Sequence, residues 1–495
     1  MKTALLSVWD KTGIVELARF LSESNIAILS SGGTGKALAK AGIPFTEVSV
    51  YTGSPEMMDG RVKTLHPKIH GGLLGRRGKD DQIMAEQGIG PIDLLVVNLY
   101  PFEEMAKKDL SLPELIEFID IGGPAMIRSA AKNYRDVAVI IDPSDYPAIM
   151  EGIKDGGLSE DDRLHLARKV FARTASYDAA ISNYLYSIDN EFPEIYSFQL
   201  KNGRELRYGE NPHQKAAVYG ESGIAGQTPL QGKQMSYNNY LDADAATALL
   251  NEFDKPTAVI VKHTNPCGVA TGDALLPAYL SARDVDPLSA YGSVVALNRI
   301  VEDDVAEQLA STFVEVVLAP GYTDSARKIM ARKENMRVLV IPERENTPAI
   351  RTINGGALIQ VTPESIPDNW RVVSEREPTA TEYDSMRMAL KVCQHTKSNT
   401  IIFANPTATV GIGAGQMSRV DSAKIAVDKA LTSLAGTSVA SDAFLPFADT
   451  LEEAAKAGAT ALIQPGGSIR DQEVIDAANR LNIAMVFTGI RHFRH

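Results

Sequence analysis

Over its first 140 residues the chain alternates short apolar, β-branched runs with helix-like stretches, and this order restricts the possible folds more than any other feature. "TALLSV" is followed by "GIVELARFLSES", and "IAILSSGG" by "TGKALAKAG"; further on, "IDLLVVNLY" and "DVAVIID" flank the helical stretch "LPELIEFI". Strands alternating with helices predict a parallel, doubly wound α/β sheet with ligands at the carboxyl ends of its strands. From Ser159 to about Asn190 the pattern is continuously helical. It then turns rich in Pro, Gly and Asn in "NEFPEIYSFQLKNGRELRYGENPHQ", which predicts a boundary near Pro193 and domains 1–193 and 194–495. The second part mixes strands ("TAVIVKH", "ATVGIGA", "ATALIQ", "IAMVFTG") with helices such as "VDSAKIAVDKALTSL", and two αβ lobes account for its length.

Composition removes several classes of function. A chain of 495 residues exceeds one ordinary core. The net charge of −12 leaves no long basic face to neutralise phosphates, so no nucleic-acid partner is expected. No uncharged run reaches bilayer length and no export signal is seen, so no membrane partner is expected either. Cys267 and Cys393 form no spaced pair of the zinc or redox kind, and a reducing cytoplasm fits best.

"SSGGTGKALA" from Ser30 resembles a phosphate-wrapping loop. A P-loop needs G-x-x-x-x-G-K-[ST], yet Ser30 stands at the first glycine position and Ala37 follows Lys36, so both defining features fail. What survives is a strand end, then Ser31, Gly32, Gly33 and Thr34, then a helix expected near Gly35. Exposed amides at a helix N-terminus suit one phosphate monoester, while a plain tight turn reads the same loop equally well. Two more polar loops join it: "SVWDKTG" with Ser7 and Lys11, and "GRVKTLHPKIHGG" with Arg61, Lys63, Thr64 and His66. Three such loops along one sheet edge point to a phosphate pocket.

At "GRVKTLHPKIHGG", "NLYPF" and "DIGGPAMIRSAAKN" the first part resembles the inosine monophosphate (IMP) cyclohydrolase domain, whose fold is like methylglyoxal synthase. In the second part "RYGENPHQ", "SYNNYLDADAA", "VKHTNPCG", "DPLSAYGSVVALNR", "GIGAGQMSR", "SDAFLPF" and "RHFRH" resemble the AICAR transformylase domain, with two cytidine-deaminase-like αβ lobes. Together they are similar to the bifunctional purine-biosynthesis family over essentially the whole chain. The resemblance implies formyl transfer from 10-formyltetrahydrofolate to AICAR, then dehydrative closure of formyl-AICAR to IMP, in a cytoplasmic homodimer with no catalytic metal.

For ring closure the resemblance implies Lys63, Tyr100, Asp120 and Lys132 as the proton-handling groups. Ser7, Lys11, Ser31, Gly32, Thr34, Arg61 and Thr64 would bind phosphate and ribose. A helix expected after "DIGG" would aim the amides of Gly122 and Gly123 at the developing oxyanion, with Pro124 in its first turn. By itself Asp120 also reads as a helix cap.

For formyl transfer, "TAVIVKHTNPCG" gives a strand ending in Lys262 and His263, followed by an expected Asn-Pro turn. The histidine can take a proton from the weakly nucleophilic amine and the lysine can stabilise an oxyanion; which one protonates the leaving nitrogen stays open, as does a purely structural His263. The resemblance adds Asn399, Ser418 and Arg419 near the reacting groups. It puts Phe444 and Pro446 beside the folate ring and Arg207, Tyr208 and Arg491 on the nucleotide, and His495 matches the family's terminal, substrate-binding histidine. Tyr291, Ser293 and Gln394 depart from the family pattern.

Other readings fit less. "GIGAGQ" lacks the last glycine of a dinucleotide fingerprint, and no H-x-E for a zinc deaminase occurs. A methylglyoxal-synthase-like lyase would leave the second part unexplained, and a nucleotide-sensing binding protein would not need Lys63, Asp120, Lys262 and His263.

Overall fold

The computed structural model describes every residue except 56, 59–61, 190–191, 346 and 362–369. The chain divides into two compact units, Met1–Gln199 and Leu200–His495, and Pro193 lies before that division.

In the first unit β1 (Thr3–Val8), β2 (Ala27–Ser30), β3 (Thr46–Glu47), β4 (Leu94–Asn98) and β5 (Ala138–Ile140) form one sheet of order β3-β2-β1-β4-β5. Every pairing in it is parallel. Both faces are covered, so its strands are apolar almost throughout: Ala4, Leu5 and Leu6 are fully buried, as are Leu94 and Leu95. The strand order reverses between β1 and β4, and a crevice at that point is where such sheets bind ligands. The helix that follows β2 spans Gly32–Lys40, three residues earlier than the sequence reading, because Gly32 turns the chain at φ +55°. The long helix Glu160–Ser187 opens with a capping box between Ser159 and Asp162.

The second unit begins with a small antiparallel pair, β6 (Arg204–Leu206) and β7 (Ala216–Val218). One lobe then follows, with β8 (Thr257–Lys262), β9 (Asn265–Thr271), β10 (Ser293–Leu297), β11 (Val314–Ala319) and β12 (Arg337–Val340) in the order β12-β11-β10-β8-β9. A separate hairpin comprises β13 (Ala349–Ile353) and β14 (Gly356–Gln360). The other lobe holds β15 (Arg371–Val372), β16 (Ile401–Ala404), β17 (Thr409–Gly413), β18 (Ser438–Ser441), β19 (Ala461–Gln464) and β20 (Ala484–Phe487), in the order β15-β20-β19-β18-β16-β17.

The two lobes repeat one plan. In each, three parallel strands (β10-β11-β12 and β18-β19-β20) adjoin an antiparallel hairpin (β8–β9 and β16–β17). Edge strands β9 and β17 meet through a bridge at Ala270 and Ala408, and the Val269 amide donates to Thr409 Oγ1 at 3.1 Å. Helices Tyr237–Leu250 and Ala380–Gln394 supply Leu249, Leu250, Met386 and Val392 to a core that also takes residues from both sheets.

This packing accounts for the glycines of "GIGAGQ". A Cβ on Gly411 would stand 2.6 Å from the Ala426 carbonyl oxygen, and one on Gly413 would collide with that of Ser422. These glycines let β17 lie against helix Arg419–Lys429 and form no phosphate loop.

Candidate active sites

In the first unit, side chains from several loops meet at the carboxyl ends of β1, β2 and β4. Asn98, at the end of β4, accepts from the Trp9 and Asp10 amides at 2.5 and 2.9 Å and donates back to the Asp10 carbonyl at 3.1 Å. This fixes the loop carrying Lys11, whose amine donates to the carbonyls of Val8 and Trp9 (2.9 Å for the latter). Burial pulls the Lys11 pKa down, with neighbouring Asp10 opposing.

The glycines show how tightly the loops converge. Lys11 Nζ lies 3.6 Å from where a Cβ on Gly33 would stand, and Lys63 Nζ 3.6 Å from the same point on Gly32. Lys63 also lies 3.9 Å from Glu47 Oε1. Buried Thr64 has Oγ1 2.7 Å from a Cβ position on Gly122, and the Asp120 carboxylate fills the corresponding space at Gly123. Tyr100 packs edge-on to Trp9, with ring centroids 5.1 Å apart, and closes the circuit. Ser7 is half-buried next to the end of β1. Ser31 is buried at the N-cap of helix Gly32–Lys40, where its hydroxyl makes no capping bond.

Asp120 is anchored on two sides. Its amide donates to the Tyr177 hydroxyl at 2.8 Å, and its Oδ1 accepts from the Gly123 amide at 2.7 Å. Burial raises the Asp120 pKa, the Gly123 and Tyr100 amides opposing; burial, then Asp120, raises that of Tyr100.

Two sequence expectations change here. The Gly123 amide is engaged by Asp120, because the short turn into helix Gly122–Lys132 brings the carboxylate back over the helix start. The Thr34 hydroxyl bridges both backbone groups of Val8, accepting at 2.9 Å and donating at 3.1 Å, so it ties the helix start to β1. Lys132 is exposed at the last residue of helix Gly122–Lys132. Arg61 lies outside the described residues. A cleft of about 690 Å³ adjoins this circuit at the strand-order reversal, lined by Trp9, Lys11, Asn98 and Arg173 among others.

In the second unit β8 ends at Lys262, and Lys262 pairs with Asn265 across a two-residue turn. The turn is therefore His263-Thr264, two residues earlier than the Asn-Pro expected, and Asn265 already begins β9. Both turn residues have left-handed backbones, φ +52° and +65°. Lys262 Nζ donates to the Tyr291 carbonyl at 2.8 Å. Antiparallel pairing of β8 with β10 puts this turn at the edge where β10, β11 and β12 start. Glu315 and Arg337 stand there, Arg337 being affected electrostatically by Tyr208. Arg207 stacks on Tyr208 at 5.6 Å.

The remaining residues gather on the other lobe. Asn399 and Gln416 exchange backbone bonds at 3.1 and 3.3 Å, and Asn399 Nδ2 donates to the Met417 carbonyl at 3.0 Å. Arg419 meets fully buried Asp442 at 3.1 Å, and among the described residues Asp442 Oδ2 and Arg419 Nε find no partner. The chain end is knitted in, so "RHFRH" is no loose tail. Ser398 and Arg494 exchange bonds of 2.8 and 3.0 Å, the His492 amide donates to the Asp442 carbonyl at 2.8 Å, and Arg419 and Arg491 lie over the Phe493 ring at 5.7 and 4.4 Å. His495 packs beside that ring. Phe444 is exposed and Pro446 half-buried just beyond β18. The Ser418 hydroxyl is engaged as a helix cap, donating to Asp421 at 2.6 Å and accepting from its amide. The two lobes' clusters are joined where Asn265 Oδ1 accepts from the Lys397 amide at 3.0 Å.

Residues 13–125 match the MGS-like domain family, and residues 130–429 match the AICARFT/IMPCHase bienzyme family. The chain belongs to the AICARFT/IMPCHase bienzyme family. The bifunctional purine biosynthesis protein PurH of Magnetococcus marinus is 51% identical over 529 residues, spanning 100% of this chain and 99% of that protein. The solved structure of ForH is 35% identical over 37% of this chain and 98% of its own, with a TM-score of 0.34.

Within this family member, sequence reasoning missed four polar side chains that organise the sites: Asn98, Asp242, Asn265 and Asp442. All four stand inside motifs already singled out or, for Asn98 and Asp442, at a strand end. For Asn98 and Asp442 a polar residue at the end of an apolar strand was the available signal; Asp242 on a helix and Asn265 at the start of β9 carried none.

Proposed function

We propose that the second unit transfers a formyl group to the 5-amino group of AICAR and that the first unit closes formyl-AICAR to IMP with loss of water. The observation that carries this reading is the 51% identity across the whole chain to a bifunctional purine-biosynthesis protein, joined to one chemically suited cluster in each unit.

In the second unit, exposed His263 takes the proton released as the amine attacks the formyl carbon. Lys262, steadied by the Tyr291 carbonyl, faces the charge that builds on the formyl oxygen. Asn399 is held by backbone bonds on both sides and orients the AICAR carboxamide. Arg207 and Arg491 suit the phosphate. 10-Formyltetrahydrofolate supplies the formyl group when bound, and the exposed ring of Phe444 beside Pro446 fits a flat pterin. The cavity at Lys262 and His263 measures about 240 Å³, and the family resemblance is what suggests a homodimer completing the site.

In the first unit, the carboxamide nitrogen bonds to the formyl carbon and gives a proton to Asp120 while the formyl oxygen takes one to become a hydroxyl; the formamide nitrogen then loses its proton as that hydroxyl, protonated by Lys63 or Tyr100, leaves as water. Lys11, Ser31, Gly32 and Thr64 hold the ribose 5-phosphate. The enzyme works in the cytoplasm and needs no catalytic metal.

Replacing His263 by Ala should abolish formyl transfer while leaving closure of supplied formyl-AICAR intact. Loss of both would contradict separate sites.

A further inference from the structure

A two-residue hairpin turn with both central φ values positive normally recruits Asn-Gly or Asp-Gly, because side chains with a Cβ resist the left-handed backbone. Here the two residues are His263 and Thr264, the second of them β-branched. Such a turn persists only where its surroundings hold it. One side chain does so. Asp242, on helix Tyr237–Leu250, accepts from the Thr264 amide through Oδ1 at 2.6 Å and from the His263 amide through Oδ2 at 3.2 Å. Each carboxylate oxygen thus takes one amide of the turn. The helix is itself fixed by the Ser236–Asn239 capping box, and Asn239 Nδ2 donates to Glu315 Oε2 at 2.9 Å.

We infer that Asp242 is a positioning residue for formyl transfer: its carboxylate holds the His263-Thr264 turn in its left-handed form and so fixes where the His263 imidazole stands. The inference rests on the transformylase reading of the second unit. Nothing requires Asp242 to touch substrate. Its effect passes through two backbone amides, so the geometry of the turn is what it fixes.

The test uses the full chain. In D242A, kcat for formyl transfer from 10-formyltetrahydrofolate to AICAR should fall roughly 10- to 100-fold, the penalty of releasing a held left-handed turn. KM for AICAR should change little, and closure of supplied formyl-AICAR by the first unit should be unchanged. Glycine adopts the left-handed backbone unaided, so D242A/T264G should regain about 10-fold or more of the lost kcat. A carboxylate that only stabilised the fold would give no such selective rescue. If D242A melts early, the double variant decides: recovery of folding with kcat supports the inference, and recovery of folding without kcat overturns it. D242A with wild-type kcat overturns the inference alone. A wild-type chain without formyl transfer overturns both the inference and the reading beneath it.

Discussion

Replacing Thr34 by Val tests whether this residue is a tie within the fold or a phosphate ligand. Thr34 is 2% exposed, and its hydroxyl accepts from the Val8 amide at 2.9 Å while donating to the Val8 carbonyl at 3.1 Å. Valine keeps the shape and removes both bonds, leaving the buried Val8 amide without this partner where helix Gly32–Lys40 meets β1, while the Val8 carbonyl keeps the Lys11 amine. An orphaned buried group costs about 1–3 kcal/mol, so T34V should destabilise the first unit by roughly that amount. T34S retains the hydroxyl and loses one methyl, which costs about 1 kcal/mol or less. Hydrogen exchange at the amides of β1 and β2 reads the loss locally, and initial rates on formyl-AICAR give KM and kcat. The tie predicts faster exchange in T34V, near-normal exchange in T34S, and an effect on KM smaller than on local stability. A large rise in KM with undisturbed exchange would refute it and return Thr34 to the phosphate site.

Three further outcomes follow from the same contacts. Gly413→Ala should destabilise the second unit by about 1–3 kcal/mol or more, since the added methyl meets the Ser422 carbonyl; a thermal melt unchanged by this substitution would contradict the packing described. Asp442→Ala leaves Arg419 largely buried without its partner and should cost about 3–5 kcal/mol, much of it recovered in R419M/D442L, as measured by urea titration of the second unit. Because burial raises the Asp120 pKa above 3.8, the native state keeps a proton there that the unfolded chain has lost, and stability falls as pH rises through that window. Only the carboxylate can accept a proton, so cyclohydrolase kcat/KM should rise with an acid limb above pH 3.8. A limb at the ordinary position would contradict the burial of Asp120.

Much of the fold was readable because its signals are local. The alternation of apolar strands and helices in the first 140 residues reflects a parallel sheet buried on both faces, and four of its five strands follow it; β3, only Thr46–Glu47, gave no such run. "TAVIVKH" and "ATVGIGA" likewise marked strands β8 and β17. The errors arose where contacts distant in sequence decide the outcome. A bond from Thr34 to Val8, 26 residues away, engages a hydroxyl that the loop alone leaves to a ligand. Asp242 makes a turn of two residues that propensity disfavours, moving the bend ahead of Asn265. The duplicated plan of the two lobes left no period in the sequence, since matching strands preserve topology and apolar character and not residue identity.

The central claim, two successive reactions on one chain, is tested most directly by incubating the purified protein with AICAR and 10-formyltetrahydrofolate and separating the products by chromatography. The account predicts IMP, with formyl-AICAR accumulating when Lys63 is replaced by Ala. A chain that yields neither formyl-AICAR nor IMP, and does not close supplied formyl-AICAR, would contradict it.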